Sequence, residues 1–312
     1  MDASRELIKL VEGDYKLGIP TISVTGGKGG TGKSTIAINL ASYFYSRGKK
    51  VLLIDADVDA PNVAILLGIP QEIIRDINVF IPKFQLDKCI KCGLCANVCR
   101  EHAILFAPNK YPIFFIDLCT GCKACKIICP VNAIDDDKKT IGWVKKGKYN
   151  GIDVLSGELK AREHEPEPVI MATKEIAKEL IKTNDYDIVI IDTSPGSHIN
   201  VLKSLLGSDL ALAVTEPTPF GVHDLNLILK LLRILDIESY VVLNRSDLAE
   251  YQQEVRNLCR KYDVEIISEI PLDDVILKSY VNQIPAVLSK ERSSGTDALL
   301  KLGKKVEELI FG

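Results

Sequence analysis

Two groups of residues in this 312-residue chain have the types and spacing that do chemistry. The first is Gly27-Lys28-Gly29-Gly30-Thr31-Gly32-Lys33-Ser34, followed by Thr35, which satisfies G-x-x-x-x-G-K-[ST]. Glycines let the backbone wrap a phosphate chain with its N–H groups pointing inward, and a helix N-terminus behind them adds positive potential. In that pattern Lys33 reaches the β and γ phosphates of a nucleotide, and the Ser34 hydroxyl is a ligand for Mg2+. The second group is cysteine. Eight of the nine form two runs, Cys89-x2-Cys92-x2-Cys95-x3-Cys99 and Cys119-x2-Cys122-x2-Cys125-x3-Cys129. Two-residue gaps hold three thiolates on one tight loop, which suits three corners of an iron–sulfur cubane, with the fourth ligand coming from elsewhere. Zinc ribbons also use CxxC pairs, but four cysteines packed so closely, twice over, suit cubanes better.

The elements around these residues have to position them. IPTISVTGG reads as a buried strand entering the Gly-rich turn, KSTIAINLASYFYSRG as a helix ended by Gly48, and KKVLLIDAD as a second strand. DYDIVIID, DLALAVTE and SYVVLNRS follow as short apolar strands separated by helix-length segments such as HDLNLILKLLRIL. Repeated βα alternation with continuous apolar strands predicts a doubly wound α/β domain with a mainly parallel sheet. The cysteine stretch interrupts it once, so the expected division is 1–85, an insert at 86–136, and 137–312. Asp55 and Asp57 stand at the carboxyl end of the second strand, the edge at which α/β sheets bind ligands, and Asp192 ends another strand. Segment RELIKLVEG is expected to be a short helix without a chemical signal, and His164–Val169 a solvated loop in which Pro stops regular structure. His102, His164, His198 and His223 occur singly and are expected to be structural or solvated. Cys259, beside Val255, Leu258 and Tyr262 at helical spacing, is expected in the core.

With these motifs in view, GGKGGTGKST resembles the deviant phosphate loop of the MinD/ParA class of P-loop ATPases. The resemblance implies that Lys28 reaches across a dimer interface to the nucleotide of the partner subunit, and that Asp57 orients the attacking water. It also likens Asp192 and the following Thr193-Ser194-Pro195-Gly196 to the Walker B and switch II region, so that Asp192 holds Mg2+ through water alongside Ser34 and Asp55. Asn244 matches the base-reading asparagine of this class, and Pro271 with Asp273 its adenine-contacting loop. Asn244-Arg245-Ser246-Asp247 also resembles the guanine-reading N-K-x-D motif, but the lysine-bearing loop points to ATP.

The cysteine runs are similar to those of bacterial ferredoxins, and they repeat at an offset of 30 residues, DKCIKCGLCANVCREHAI against DLCTGCKACKIICPVNAI. That resemblance implies a small α+β insert in which Cys89, Cys92, Cys95 and Cys129 hold one 4Fe-4S cluster, and Cys119, Cys122, Cys125 and Cys99 the other. Arg100 stands where a proline usually follows the fourth cysteine. TEPTPFGVHDL adds a closer likeness to MinD-type ATPases that contain an inserted ferredoxin domain.

Composition narrows the function classes. The formal net charge is -3, with 39 basic against 42 acidic residues, which gives no electrostatic reason to expect nucleic-acid binding. No apolar run approaches a membrane span. The first twenty residues lack the apolar region of a signal peptide, so a cytoplasmic location with reduced thiols is expected. The apolar stripe Leu299, Leu302, Val306 and Ile310 is expected to pack on the core and not to anchor to lipid. The combined expectation is an ATP-dependent homodimer carrying ATP or ADP, Mg2+ and two 4Fe-4S clusters. ATP hydrolysis would serve electron delivery to, or metallocofactor assembly on, a partner protein. An iron–sulfur scaffold or carrier switched by ATP is the alternative, and a positioning ATPase with structural clusters a third.

Overall fold

The computed structural model describes residues 15–248 and 250–312; the helix expected over residues 5–13 lies outside them. Along the chain run β1 (Thr21–Thr25), α1 (Lys33–Ser46), β2 (Val51–Ala56), α2 (Val63–Leu67), β3 (Gln71–Phe84), α3 (Leu94–Val98), β4 (Ile104–Leu105) and β5 (Ile113–Phe114). Then come α4 (Ala124–Ile128), β6 (Ile134–Tyr149), β7 (Ile152–Leu159), α5 (Glu167–Thr183), β8 (Ile188–Thr193), α6 (Ile199–Leu205) and β9 (Leu210–Thr215). The chain closes with α7 (Pro219–Ile234), β10 (Glu238–Asn244), α8 (Gln252–Tyr262), β11 (Ile266–Ile270), α9 (Asp274–Asn282) and α10 (Ser294–Phe311). These form two compact units: one takes the described residues up to 74 with 144–158 and 166–312, the other 75–143 with 159–165. The cysteine stretch expected at 86–136 falls inside the second.

In the first unit the sheet order is β11-β10-β9-β1-β8-β2-β7, followed by β6 and β3, of which residues 144–149 and 71–74 fall in this unit. Every pairing from β11 to β7 is parallel. Residues of β1, β2, β8 and β9 are buried along their whole length, which is why these strands read as unbroken apolar runs. One core cluster packs Ile22, Val24, Leu53 and Ile190 with Phe44 of α1 and with Leu299, Leu302 and Val306 of α10. Ile310 packs against it partly buried, so the C-terminal stripe faces the core. A second cluster gathers Leu225, Leu229, Val241 and Cys259, the last 4% exposed in α8.

Two elements depart from expectation. The 164–169 stretch is not a loop to its end: Pro166 caps α5 and Pro168 sits in its first turn, where the missing N–H costs no intrahelical bond. The long β3 and β6 carry charged residues at exposed positions and lack the apolar runs that mark the other strands. Among the described residues no helix is long and apolar enough to cross a membrane.

The second unit contains the internal repeat in its backbone. Lys91, Gly93 and His102 have positive φ, as do Gly121, Lys123 and Asn132 at the offset positions. The five-residue helices α3 and α4 occupy equivalent places in the two halves. Their core is small: Phe80, Ile104, Cys125 and Ile134, with Cys95, Cys99 and Cys129 packed against it.

Candidate nucleotide site and cysteine sites

The Gly-rich turn leaves β1 and enters α1 through Gly32, at φ 97. Only glycine fits at Gly26 and Gly27, where a Cβ would meet the Val214 carbonyl oxygen at 2.6 Å and Asp224 Cβ at 2.4 Å respectively. A Cβ at Gly29 or Gly30 would meet nothing within 4 Å, so that side of the loop is open. The loop is held from below. Asn244 Nδ2 donates to the Thr31 carbonyl at 2.8 Å, and Arg245 donates to the Gly30 carbonyl at 3.2 Å while ion-pairing with buried Glu216. The Gly196 N–H donates to the Gly26 carbonyl at 3.2 Å, tying the segment after β8 to the same loop.

Lys33 is buried, and its Nζ donates to the Lys28 carbonyl at 2.9 Å. Burial pushes its pKa below the ordinary lysine value, opposed by the charges of Asp192 and Asp57. Lys28 is exposed, its ammonium 5.5 Å from the Phe220 ring centre.

Parallel pairing of β2 with β8 sets Asp55 opposite Asp192, both fully buried. Asp55 accepts from the Val63 N–H at 2.9 Å and the Asp57 N–H at 3.1 Å. Asp192 is hydrogen-bonded by the Ser34 side chain, yet its Oδ1 has no partner among the described residues. Burial raises the pKa of both carboxylic acids. The charge of Asp192 raises Asp55 further, whereas Ser34 and Lys33 oppose the rise at Asp192. A buried, unpartnered carboxylate oxygen beside a second carboxylate and a serine hydroxyl is a hard-oxygen donor set that fits Mg2+. Asp57, half-buried, is raised to about 6, chiefly by burial, with Lys33 and the Ser194 hydroxyl acting against the rise.

The β11–α9 connection bears the residues expected to touch the base. The Asp273 carboxylate caps α9 through the N–H groups of Val275 and Ile276, and also accepts from the Gly295 N–H and the Ser293 hydroxyl. Burial acts to raise it, but these bonds outweigh that and hold it below the usual carboxylate value. Asp247 accepts from the Leu272 N–H at 2.7 Å. Both side chains therefore shape the Pro271–Asp273 turn from within. Glu216, Arg245 and Ser194, which the motif pattern alone does not single out as bracing groups, support the loop and the ends of β2 and β8; Ser194 donates to the Ala56 carbonyl at 3.1 Å.

In the second unit the cysteines sort by recess and not by run. Cys119, Cys122 and Cys125 line one cavity of about 420 Å³ together with Cys99. Cys89, Cys92 and Cys95 line a narrower one of about 20 Å³ together with Cys129. Among the described residues no three His, Cys, Asp or Glu side chains converge on a single-ion position. A cubane is held at four separate iron corners, so its thiolates ring a space and do not meet at a point. The donor chemistry fits: four thiols surround each recess, and backbone N–H groups of Ala96, Gly121 and Lys126 point at Cys95, Cys119 and Cys125. Burial pushes those three thiols up, Cys125 to about 11.

Comparison with known proteins adds four findings. The family model for the CobQ/CobB/MinD/ParA nucleotide binding domain matches residues 22–286. An uncharacterized protein of Methanocaldococcus jannaschii is 37% identical over 231 residues, covering 73% of this chain and 81% of its own length. The iron-sulfur cluster carrier protein of Pyrococcus horikoshii is 24% identical over 325 residues, covering 98% and 90%. Among solved structures, the septum site-determining protein MinD of Pyrococcus horikoshii, complexed with Mg-ADP, shares the fold with a TM-score of 0.57 at 22% identity. That match covers 93% of this chain and 97% of MinD.

Proposed function

The chain belongs to the CobQ/CobB/MinD/ParA nucleotide-binding family, and from that membership we propose an ATPase whose nucleotide cycle is coupled to electron transfer or metallocofactor assembly through two 4Fe-4S clusters. The observation that carries the ATPase reading is the orphaned Oδ1 of Asp192, buried beside Asp55 and Ser34 at the mouth of the phosphate loop. Ser34 and Asp55, with Asp192 through water, would hold Mg2+, which when bound neutralises charge on the phosphates. The backbone of Gly27–Ser34 and Thr35 binds the phosphate chain. Lys33 exchanges its bond to the Lys28 carbonyl for phosphate oxygens, keeping its charge in a low-dielectric pocket where it acts most strongly. Asp57, ionised above about pH 6, accepts a hydrogen bond from the attacking water and orients it in line. Lys28, exposed at the open side of the loop, contacts nucleotide held by a second copy, so ATP favours a homodimer. Asn244 and the Pro271–Asp273 turn frame the adenine.

Residues 86–136 are read as a ferredoxin-like module set between 1–85 and 137–312. Cys89, Cys92, Cys95 and Cys129 would hold one cluster, and Cys119, Cys122, Cys125 and Cys99 the other; bound clusters supply one-electron chemistry. The likeness to an iron-sulfur cluster carrier supports a second reading, in which the chain delivers a cluster and ATP switches partner binding.

The deciding experiment uses the full chain, anaerobically reconstituted with iron and sulfide. The reading expects about eight iron atoms per chain, ATP hydrolysis, and ATP-dependent dimers in sedimentation. Lys28→Ala should lose hydrolysis and dimers while retaining nucleotide, and Asp57→Ala should accumulate the ATP-bound dimer. Stoichiometric zinc in place of iron, or unchanged hydrolysis in Lys28→Ala, would refute it.

A further inference from the structure

The two cysteine recesses are related by the repeat, yet their walls differ, and the offset of 30 residues shows where. Ile90, Leu94 and Val131 line the narrow recess; their equivalents Thr120, Ala124 and Glu101 line the wide one. Each replacement is smaller or more polar. Beside Glu101, Arg100 also lines the wide cavity, in the place equivalent to Pro130. Aromatic rings line both: Phe80 and Phe114 the wide recess, and Phe84 and Phe106 the narrow one. Phe106 lies so close to Gly93 that a Cβ there would meet the ring at 2.7 Å, and Gly93 has φ 75. The equivalent positions are Lys123 and Asp136, and Asp136 ion-pairs with Lys126 at 2.6 Å. Cys92 and Cys122 are both exposed, and Cys125 of the wide site is more buried than its equivalent Cys95, so thiol exposure does not make the wide site the more open one. The difference lies in the walls.

We propose that the site of Cys99, Cys119, Cys122 and Cys125 is the exchangeable one, through which iron or a whole cluster enters and leaves, while the site of Cys89, Cys92, Cys95 and Cys129 retains its cluster. This rests on the reading above that each set holds a cluster. The shell around a metal site controls access of competing ligands. Apolar walls and the Phe106 ring keep a competing thiolate or chelator from the narrow site. The wide site, though it too has apolar walls at Phe80, Val98 and Ile104, admits one on the side of Thr120, Ala124 and Glu101. The exchange is a ligand substitution. For each iron–sulfur bond to a cysteine that breaks, a bond to an acceptor thiolate or chelator nitrogen forms, the released cysteine thiolate takes a proton from water, and no electron is transferred.

The test is iron release from the reconstituted full chain, followed optically after addition of an excess of a sulfonated phenanthroline, an iron(II) chelator, with dithionite present. Two phases of equal amplitude are expected, separated by about tenfold or more in rate. Cys122→Ser should remove the fast phase and Cys92→Ser the slow one. Thr120→Ile with Ala124→Leu and Glu101→Val should slow the fast phase toward the other. A single phase from a chain holding both clusters overturns the proposal, as does loss of the fast phase in Cys92→Ser. Failure of the chain to take up iron at all overturns the cluster reading itself. The biphasic criterion is read on the unaltered chain, so a variant that does not fold leaves it intact.

Discussion

In the first unit, Asp55 and Asp192 are held by six-residue strands buried along their full length, and the loop beside them is braced by Asn244, Arg245 and Gly196. In the second, eight cysteines sit on tight turns and on two helices of five residues, over a small core in which the cysteines themselves take part. The nucleotide end is thus preorganised by protein contacts, and among the described residues Asp192 Oδ1 and Thr25 Oγ1 are the buried side-chain atoms there that lack a partner. The cysteine unit has little apolar mass to hold its loops, so its order is expected to come in large part from what the thiolates bind. The comparison teaches that a charged site can be built before its ligand by a deep parallel sheet, whereas a short-loop site completes its folding with its ligand.

The strongest test of this contrast is removal of iron. Chelation under anaerobic conditions should destabilise the second unit by several kcal/mol and concentrate proteolytic cuts within residues 75–143, while the first unit keeps its cooperative unfolding and its nucleotide affinity. Equal loss of protection in both units would break the comparison. Next in size, Lys33→Ala should lower kcat/KM for ATP by roughly 10²–10³-fold with iron content unchanged, a result read by steady-state kinetics beside iron analysis.

Asp192→Asn separates function from stability. Hydrolysis should fall by about 10²-fold, yet the nucleotide-free chain should gain about 1–3 kcal/mol in denaturant unfolding, because a buried charge beside Asp55 is gone. A loss of stability would mean the orphaned oxygen is not a cost. A smaller effect concerns pH. The folded pKa of Asp57 is raised to about 6 from 3.8, so its stability contribution is fully present below about 3.8 and is lost as pH rises through about 6. Activity runs the other way, since the ionised form orients water: kcat should fall below about pH 6. Absence of that acid limb would argue against Asp57 as the water-orienting group. The smallest effect is expected at Cys259→Ala, about 1 kcal/mol of stability lost from the core with iron and hydrolysis unaltered.

The phosphate loop, the strand-ending aspartates and both cysteine runs were legible in the sequence because their chemistry depends on local spacing: a turn, a strand end and a CxxC loop each carry their own signal. The parallel alternation was legible too, since strands buried on both faces read as unbroken apolar runs. The long β3 and β6 were not, because their charged, exposed positions mask the pattern, and neither was the start of α5, where proline opens a helix instead of ending a loop. Pairing register between β2 and β8 decided that Asp55 faces Asp192, and three-dimensional bracing decided that Asn244 and Arg245 secure the phosphate loop. The repeat made the two cysteine runs look alike, and only packing showed one recess walled by Ile90, Leu94 and the Phe106 ring and the other left wide. Spacing along a chain determines which atoms can act together; which of them are closed off from solvent depends on residues brought from distant positions, and that is a property of the folded core.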